Sequence, residues 1–290
     1  MVLTKLKNNN FSVMELLRSG VAQLQAAHVE SASLDARILL EFALGVTREQ
    51  MLLMMEKRVS EEQEMLFAGL IAQRATHKPV AQLIGQREFW GMEFHVTENT
   101  LDPRADSETL IEAVLERFPD RSAPLKVLDF GTGTGCLLLA VLKEYPNAMG
   151  IGVDICPKAL EVAFGNAHEL ELSARASFTQ GCWGDGLEGQ FDLILSNPPY
   201  IPSSVIPTLS REVAQFEPKG ALDGGEDGLD CYRALIPHVA RLLAPSGVAA
   251  FEIGMGQRPQ LEEIAAAQGL KALGAKKDMA GVLRCVLITK

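Results

Sequence analysis

The pattern of hydrophobic and polar positions changes near residue 78, and the change divides the chain into two parts. Before that point, recurrent helix-start signals predict four helices, near 12–28, 33–44, 47–57 and 60–76. From Leu125 onward, short apolar runs alternate with helical patterns as far as Lys290, which is typical of a parallel doubly wound sheet. The chain therefore predicts a small helical bundle followed by an α/β domain.

Capping boxes mark three of the predicted helix starts. In such a box, a Ser or Thr side chain and a Glu or Gln three residues later satisfy backbone N–H groups of the first turn. The pairs are Ser12 with Glu15, Thr47 with Gln50, and Ser60 with Gln63. Ser33 predicts a fourth start, and Gly45 predicts the end of that helix.

Three further elements are predicted outside the bundle. The alternation over 87–97 predicts a β-hairpin, and Ser107 is then predicted to cap a helix that runs to about residue 118. The last two apolar runs, 269–276 and 282–289, lie close together and predict a terminal antiparallel pair of strands. We accordingly divide the chain into residues 1–77, 78–106 and 107–290.

A glycine-rich turn follows the predicted strand 126–130. A helical pattern begins directly after the turn, whose residues are Gly131, Thr132, Gly133, Thr134 and Gly135. Strand, glycine turn and helix form the first unit of an open α/β nucleotide-binding sheet, because glycine lets the backbone approach a ligand where a Cβ would collide. The next predicted strand leads into Asp154, whose carboxylate can accept both hydroxyls of a ribose.

The spacing of the glycines distinguishes between two cofactors. A dinucleotide fold favours G-x-G-x-x-G, with the helix start facing a pyrophosphate. Here the spacing is G-x-G-x-G, and Cys136 stands in the position of the final glycine. A phosphate is therefore not the indicated ligand, and the turn instead resembles the S-adenosylmethionine loop of Rossmann-like methyltransferases.

The tetrapeptide Asn197-Pro198-Pro199-Tyr200 directly follows the apolar run 191–196. Each proline fixes its own φ, holds the residue before it extended, and offers no N–H group. The Asn197 side-chain carbonyl and the Pro198 backbone carbonyl can then accept two hydrogen bonds from one planar NH2 group. With an aromatic ring beside it, this clamp predicts chemistry on an amide or amino nitrogen.

Composition limits the partners and the compartment. The net charge of −10 disfavours a partner held mainly by phosphate contacts, so we expect no direct binding of nucleic acid. No window approaches ~18 uninterrupted apolar residues, and residues 1–10 lack the apolar segment of a secretion signal, so we expect a cytoplasmic protein without a membrane span. The five cysteines show neither C-x-x-C pairs nor metal-ligand spacing, so we expect no metal site. They are Cys136, Cys156, Cys182, Cys231 and Cys285.

Longer segments carry a resemblance to one family. They are 79–85 with 87–90, 101–108 (LDPRADSE), 216–218 (FEP) and 221–229 (ALDGGEDGL). With the glycine turn and the clamp, they make the chain resemble the release-factor glutamine N5-methyltransferases over nearly its whole length. The chain departs from the family pattern at three positions, namely Asp102 in place of an aliphatic residue, Ala105 in place of a proline, and Cys182 in place of an aspartate.

The resemblance implies a fold and an organisation. The fold is an α/β Rossmann-like class I S-adenosylmethionine-dependent methyltransferase sheet with a small N-terminal helical bundle. Residues 107–290 would form the methyltransferase domain and 78–106 a linker with the hairpin. Residues 1–77 would either dock the protein substrate or serve only as a packing module. The chain is expected to act as a monomer on peptide-chain release factors.

The resemblance also implies roles for individual residues. The catalytic residues are Asn197, Pro198 and Tyr200, and these three together with Pro199 bind the substrate. S-adenosylmethionine is expected to contact Gly131, Thr132, Gly133, Thr134, Gly135, Asp154, Trp183 and Asn197. Trp183 either stacks beside the adenine or packs as a rim aromatic, and either Asp185 or a backbone group contacts the adenine.

Two carboxylates and one arginine near the predicted site each have two alternative roles. Asp129 precedes the glycine turn and is a candidate partner for the methionine ammonium group, directly or through water. Arg104 and Glu108 either shape the rear of the cofactor site or pair with each other. The five histidines adjoin no motif, and none is assigned a catalytic role.

The leading functional hypothesis is methylation of the glutamine amide in the Gly-Gly-Gln motif of release factors. One alternative is the same reaction on a ribosomal protein. Another is adenine-N6 methylation of nucleic acid, in which a flipped base would stack on Tyr200. A cofactor-binding scaffold without activity is a third class, which the intact clamp disfavours.

Overall fold

The computed structural model describes residues 11–290, and it consists of two compact units, 11–85 and 86–290. The expectation about a secretion signal concerns residues 1–10 and so lies outside the described part. Among residues 11–290, no helix has both the length and the apolar character needed to cross a membrane.

The first unit contains five helices. They are α1 (Val13–Ala26), α2 (Ala32–Leu44), α3 (Arg48–Leu52), α4 (Glu61–Arg74) and α5 (Val80–Ile84). Their apolar faces meet in one core that includes Leu39, Leu40 and Phe67. Helices α1 and α4 approach closely at Gly20, where an added Cβ would lie 2.6 Å from the ring of Phe67.

The helix starts are confirmed in three cases and wrong in the fourth. Both hydrogen bonds of the capping box are present at Ser12, Thr47 and Ser60, and Gly45 ends α2 in the left-handed conformation. Helix α2, predicted to start at Ser33, begins earlier, with Ser31 as its N-cap residue. Ser33 is exposed within its first turn. The Ser31 hydroxyl makes no capping bond and instead donates to the Asp35 carboxylate at 2.7 Å, and the N-cap lies two residues earlier than predicted.

Helix α3 is shorter than the predicted 47–57 because the following backbone has other partners. The carbonyls of Met55 and Lys57 accept the N–H groups of Met14 and Val13 at 3.0 Å each. Those N–H groups lie in the first turn of α1, where a helix leaves its donors unsatisfied. The segment after Leu52 therefore satisfies the start of α1 instead of continuing its own helix.

The second unit is built around a seven-stranded sheet. Its strands are β3 (Lys126–Phe130), β4 (Met149–Asp154), β5 (Ala176–Gln180), β6 (Phe191–Ser196), β7 (Leu243–Glu252), β8 (Lys271–Lys277) and β9 (Leu283–Thr289). Their order is β5-β4-β3-β6-β7-β9-β8, and the first five run parallel. Strand β9 is antiparallel to both β7 and β8, which confirms the predicted terminal pair.

Helices and a hairpin complete the second unit. The hairpin pairs β1 (Gln86–Phe89) with β2 (Met92–His95), as predicted. The helices are α6 (Glu108–Arg117), α7 (Cys136–Glu144), α8 (Pro157–Glu169), α9 (Arg211–Phe216), α10 (Asp230–Leu242) and α11 (Arg258–Ala266). Alternate residues of β3 enter two separate cores, one with α6, α7 and α8 and the other with α10 and α11.

The direction of the strand order reverses between β3 and β6. The chain passes from β3 to β4 and β5 on one side, and then returns to β6 and β7 on the other. In open α/β sheets, ligands bind at the carboxyl ends of the strands at such a switch point. The residues that directly follow β3 and β6, and the last residue of β4, are therefore the ones placed to meet a ligand.

Removing the buried Arg74 is expected to destabilise the first unit. Arg74 Nε donates to Asp35 Oδ2 at 2.7 Å, and both side chains are buried. The substitution Arg74→Met leaves the Asp35 charge buried without that partner, which costs about 3–5 kcal/mol in free energy of unfolding. Urea unfolding followed by circular dichroism measures this change.

Two comparison variants identify the cause of that destabilisation. The double variant Arg74→Met with Asp35→Leu should recover most of the loss, because no buried charge remains. Arg37→Met removes a more exposed helix pair with Glu41 and should cost less than about 1 kcal/mol. Equal costs for Arg74→Met and Arg37→Met would contradict the interpretation.

Candidate active site

The glycine turn after β3 is tied to the end of β4. The N–H groups of Gly131 and Thr132 both donate to the carbonyl of Val153, at 2.8 and 3.0 Å. Gly131 and Gly133 have φ values of +68° and +55°, in the left-handed region that favours glycine. The turn therefore exposes backbone, rather than side chains, to the space above the sheet.

Gly135 has a different position from the other two glycines. It precedes α7 with a φ of +80°, and an added Cβ would lie 3.2 Å from Leu139 and 3.4 Å from Ala163. Its close neighbours are thus packed side chains, and it does not line the cavity described below. Its predicted contact with the cofactor stays a prediction.

Asp154 ends β4 and uses both carboxylate oxygens. Oδ2 accepts the N–H of Gly133 and Oδ1 accepts the N–H of Cys156, each at 2.9 Å. The second bond fixes the start of α8, as a helix-start acceptor would. A carboxylate has about four acceptor positions, so Asp154 retains capacity for the hydroxyls of a ribose.

Asp129 lies beneath the glycine turn and is 1% exposed. The Thr132 hydroxyl donates to its Oδ2 at 2.6 Å, while Oδ1 is buried with no partner among residues 11–290. Burial raises the pKa of Asp129 to about 7, and the neighbouring charge of Asp154 adds to the rise. Asp129 does not line either cavity, so its contact with an ammonium group stays a prediction.

A cavity of about 470 Å³ lies over the switch point. The glycine turn and Asp154 form one part of its lining, and Asn197 and Pro199 form another. Trp183 adds an aromatic wall, held edge-on against Phe130 with ring centroids 6.4 Å apart. The cavity thus combines exposed backbone, a diol acceptor and an apolar surface.

The two candidate contacts for an adenine lie in different places. Gly181 and Cys182 line the cavity, whereas Asp185 does not. The Asp185 side chain is 69% exposed and lies 3.6 Å from His238. Residues 181–183 are thus at the cavity and Asp185 is outside it, and which of them contacts an adenine stays a prediction.

The clamp begins directly after β6. The Ser196 hydroxyl donates to the Phe130 carbonyl at 2.9 Å and so ties the end of β6 to β3. The Asn197 Nδ2 donates to the Ser107 hydroxyl at 3.1 Å. Within the described chain, neither Asn197 Oδ1 nor the Pro198 carbonyl accepts a hydrogen bond. Both acceptors of the predicted clamp therefore remain available to a ligand.

A second cavity, of about 350 Å³, lies on the other side of Asn197. Pro198, Tyr200 and Glu252 line it, and it shares Asn197 and Arg104 with the first cavity. The predicted substrate residues are thus divided, since Pro199 faces the first cavity and Pro198 and Tyr200 face the second. Asn197 stands where the two cavities meet.

The segment 221–229 is held against the clamp by backbone contacts and one side chain. Gln257 Nε2 donates to the carbonyls of Tyr200 and Gly228, at 2.9 and 3.1 Å. A Cβ at Gly228 would lie 2.4 Å from the Tyr200 carbonyl, and one at Gly224 would lie 2.8 Å from the Tyr200 Cα. Both glycines are therefore required by the close approach of this segment to Tyr200.

Arg104 and Glu108 do not pair with each other, which corrects one of the two predicted roles. Arg104 Nη2 donates to Glu217 Oε1 at 2.7 Å, and Glu108 accepts the N–H of Trp90. Glu217 is buried, and burial raises its pKa to about 7 although the charge of Arg104 opposes the rise. Arg104 lines both cavities, in agreement with a place beside the cofactor site.

Sequence reasoning missed two polar residues of the site, Ser107 and Glu252. Ser107 does precede α6, but its side chain makes no capping bond and instead donates to Glu252 Oε2. The Tyr200 hydroxyl donates to Glu252 Oε1 at 3.0 Å. Glu252 is the last residue of β7, so the rule that strand ends carry ligand-binding groups could have identified it.

Burial is the largest influence on the pKa values of Glu252 and Tyr200. It raises the pKa of Glu252, although the hydroxyls of Ser107 and Tyr200 oppose the rise. It also raises the pKa of Tyr200 far above the ordinary value, and the adjacent Glu252 charge adds to that effect. Tyr200 therefore stays a neutral hydrogen-bond donor near pH 7.

This sheet, with the glycine turn, Asp154 and the Asn-Pro-Pro-Tyr tetrapeptide around its switch point, defines a class I S-adenosylmethionine-dependent methyltransferase. Solved structures agree on the fold. The chain is similar to the hMettl16 catalytic domain, solved in complex with MAT2A 3′UTR hairpin 1, with a TM-score of 0.54 and 15% identity. That likeness covers 76% of this chain and 80% of the other, and it shows the fold alone.

Sequence comparisons identify the family. Residues 15–85 match the PrmC N-terminal domain, and residues 122–272 match a methyltransferase domain. A release factor glutamine methyltransferase of Rhodospirillum rubrum is 46% identical over 94% of this chain and 83% of its own length. One of Bradyrhizobium diazoefficiens is 43% identical over 96% of this chain and 95% of its own length. The chain belongs to the release factor glutamine methyltransferase family.

Replacing Asp154 is expected to weaken binding of the cofactor. The substitution Asp154→Ala removes the diol acceptor and frees the Gly133 N–H, which should raise the Kd for S-adenosylmethionine at least about 10-fold. Isothermal titration calorimetry measures this Kd. Asp185→Ala, an exposed aspartate outside the cavity, is the matched control and should leave the Kd unchanged. Equal affinities for the two variants would remove Asp154 from the cofactor site.

Proposed function

We propose that this chain transfers a methyl group from S-adenosylmethionine to the side-chain amide nitrogen of the glutamine in the Gly-Gly-Gln motif of peptide-chain release factors. The observation that carries the proposal is the pair of available acceptors, Asn197 Oδ1 and the Pro198 carbonyl, at the junction of the two cavities. The names of the relatives support the same substrate.

The larger cavity fits S-adenosylmethionine. The ligand has a ribose diol, an adenine and a charged amino-acid end, but no phosphate. In the cavity, Asp154 would bind the diol, and Trp183 with the backbone near Gly181 would lie beside the adenine. The glycine turn would contact the amino-acid end of the ligand. When bound, the cofactor supplies a methyl group activated by a sulfonium. The smaller cavity, lined by Pro198 and Tyr200, would receive the glutamine.

The clamp addresses the weak nucleophilicity of an amide nitrogen, whose lone pair is delocalised into its carbonyl. Asn197 Oδ1 and the Pro198 carbonyl each hold one N–H of the substrate and so fix the orientation of the nitrogen. Positive charge grows on that nitrogen during transfer, so both acceptors bind the transition state more tightly than the ground state. The chain thus acts mainly by positioning and by preorganised electrostatics.

Other features of the proposal concern partners and compartment. The helical unit 11–85 includes the whole match to the PrmC N-terminal domain, 15–85, and we assign it the docking of the protein substrate. The net charge of −10 supports a protein substrate over a nucleic acid, since phosphate contacts need a basic surface. We further propose that the chain works as a monomer in the cytoplasm, where release factors act.

Methyl transfer to defined substrates tests the proposal directly. Labelled S-adenosylmethionine is offered separately with a release factor, with its Gly-Gly-Gln→Gly-Gly-Ala variant, and with duplex DNA. Label is expected in the first alone, because only that substrate carries the glutamine amide. Label in both release factors would move the target to another residue, and label in DNA would support adenine methylation instead.

Loss of the Asn197 acceptor should slow transfer without weakening cofactor binding. The substitution Asn197→Ala is expected to lower kcat about 10²-fold or more, as the loss of a preorganised contact does. The Kd for S-adenosylmethionine should change little, because Asp154 and the glycine turn are intact. Single-turnover transfer and calorimetry measure the two quantities. A folded Asn197→Ala variant that no longer binds the cofactor would refute the assigned role.

A further inference from the structure

Ser107 connects the clamp to a buried carboxylate. Its hydroxyl donates to Glu252 Oε2 and accepts from Asn197 Nδ2 at 3.1 Å. The second oxygen of Glu252 accepts the Tyr200 hydroxyl at 3.0 Å. One carboxylate at the end of β7 is therefore bonded to Tyr200 directly and to Asn197 through Ser107.

The number of hydrogens on Ser107 decides which way the Asn197 amide faces. A serine hydroxyl has one hydrogen, and donation to Glu252 uses it. Towards Asn197, Ser107 then offers only a lone pair, so Asn197 must present its NH2 group and turn Oδ1 away. In the opposite orientation, the NH2 group of Asn197 would face the NH2 group of the substrate, and the clamp would repel it.

We propose that Glu252 is a positioning residue that sets the orientation of the Asn197 amide through the Ser107 hydroxyl. In this arrangement the clamp presents an acceptor, and not a donor, to the reacting nitrogen. The inference rests on the proposed function for its catalytic consequence. The orientation itself depends only on the hydrogen bonds of the free protein.

The contacts of Glu252 favour the form that can only accept. Both of its oxygens receive hydroxyl groups, from Ser107 and Tyr200. Burial raises the pKa of Glu252, but these two hydroxyls and the positive charge of Arg284 oppose the rise and favour the ionised carboxylate. Because an ionised carboxylate has no hydrogen to give, the Ser107 hydroxyl has one possible direction.

The backbone at Ser107 leaves its hydroxyl free for this task. Ser107 has helical angles, φ −69° and ψ −18°, and its side chain makes no capping bond to α6. It is 3% exposed, so little of its side chain is open to solvent. The two long-range partners of Ser107 therefore explain why this buried serine at a helix start does not cap the helix.

A measurement without substrate tests the orientation. In the free wild-type protein, the Asn197 side-chain NH2 should give a proton–nitrogen signal that exchanges slowly with water, assigned by its absence in Asn197→Ala. Ser107→Ala and Glu252→Met, which removes both acceptor oxygens, should each shift this signal and speed its exchange at least about 10-fold. Ser107→Thr keeps the hydroxyl and should preserve the signal.

Activity measurements test the catalytic consequence. Ser107→Ala should lower kcat about 10-fold, the loss of one orienting hydrogen bond to a charged group, while the KM for S-adenosylmethionine stays within about 2-fold. Ser107→Thr should restore kcat to within about 3-fold of wild type. The matched control is Ser122→Ala, because Ser122 also donates to a carboxylate, that of Asp120, but is exposed and lies outside both cavities.

A double variant tests whether Ser107 and Glu252 act on kcat through the same hydrogen-bonded chain to Asn197. Glu252→Met should lower kcat more than Ser107→Ala does, since it also removes the acceptor of the Tyr200 hydroxyl. The double variant should be no slower than Glu252→Met alone, because both substitutions act on the same amide. Multiplied losses, or an unchanged Asn197 signal in Glu252→Met, would overturn the proposal.

The two readouts separate this inference from the proposed function. If wild-type protein transfers no methyl group to a release factor, the proposed function fails. The Asn197 signal would still report whether Glu252 sets the orientation of the amide. If transfer occurs and Ser107→Ala equals Ser107→Thr in rate, the proposed function stands and the positioning role of Ser107 and Glu252 is refuted.

Discussion

The parallel register of β3 with its two neighbours is the constraint on which the site depends. Phe130 lies opposite Val153 in β4 and Ser196 in β6, so the three strands end at the same level of the sheet. The residues that come next, Gly131, Asp154 and Asn197, are consequently adjacent in space although 66 positions separate the first from the last. A shift of one residue in either pairing would turn the end of that strand to the opposite face of the sheet.

Three buried carboxylates lie around the site that this register assembles. Asp129, Glu217 and Glu252 all lie away from water, and burial raises the pKa of each. Glu252 alone among them has both oxygens occupied by neutral hydroxyls, whereas Glu217 relies on Arg104 and one backbone N–H. Hydroxyl partners allow an acidic group to orient its neighbours without placing a second charge beside the reacting nitrogen.

The sequence predicted those parts of the fold that depend on local interactions. Capping boxes use residues three apart, and strands β3 and β6 are short apolar runs bounded by glycine or proline, so neighbouring residues specify them. The errors arise where a distant residue competes. Ser107 reads as a cap from its neighbours, but its hydroxyl is bonded to Glu252, 145 positions further along. Helix α3 is shortened because its continuation satisfies backbone donors of α1.

The surroundings of the clamp also indicate how the reaction proceeds without a strong base beside it. In the described chain, no histidine lines either cavity. Tyr200 stays protonated, Asp129 lies below the cavity floor, and both oxygens of Glu252 already accept hydrogen bonds. In the proposed function, the groups that contact the substrate nitrogen are carbonyl oxygens, which hold its hydrogens but do not remove them. Because charge develops on the nitrogen only as the methyl group arrives, oriented acceptors are sufficient, and their orientation becomes the property that the rest of the site must secure.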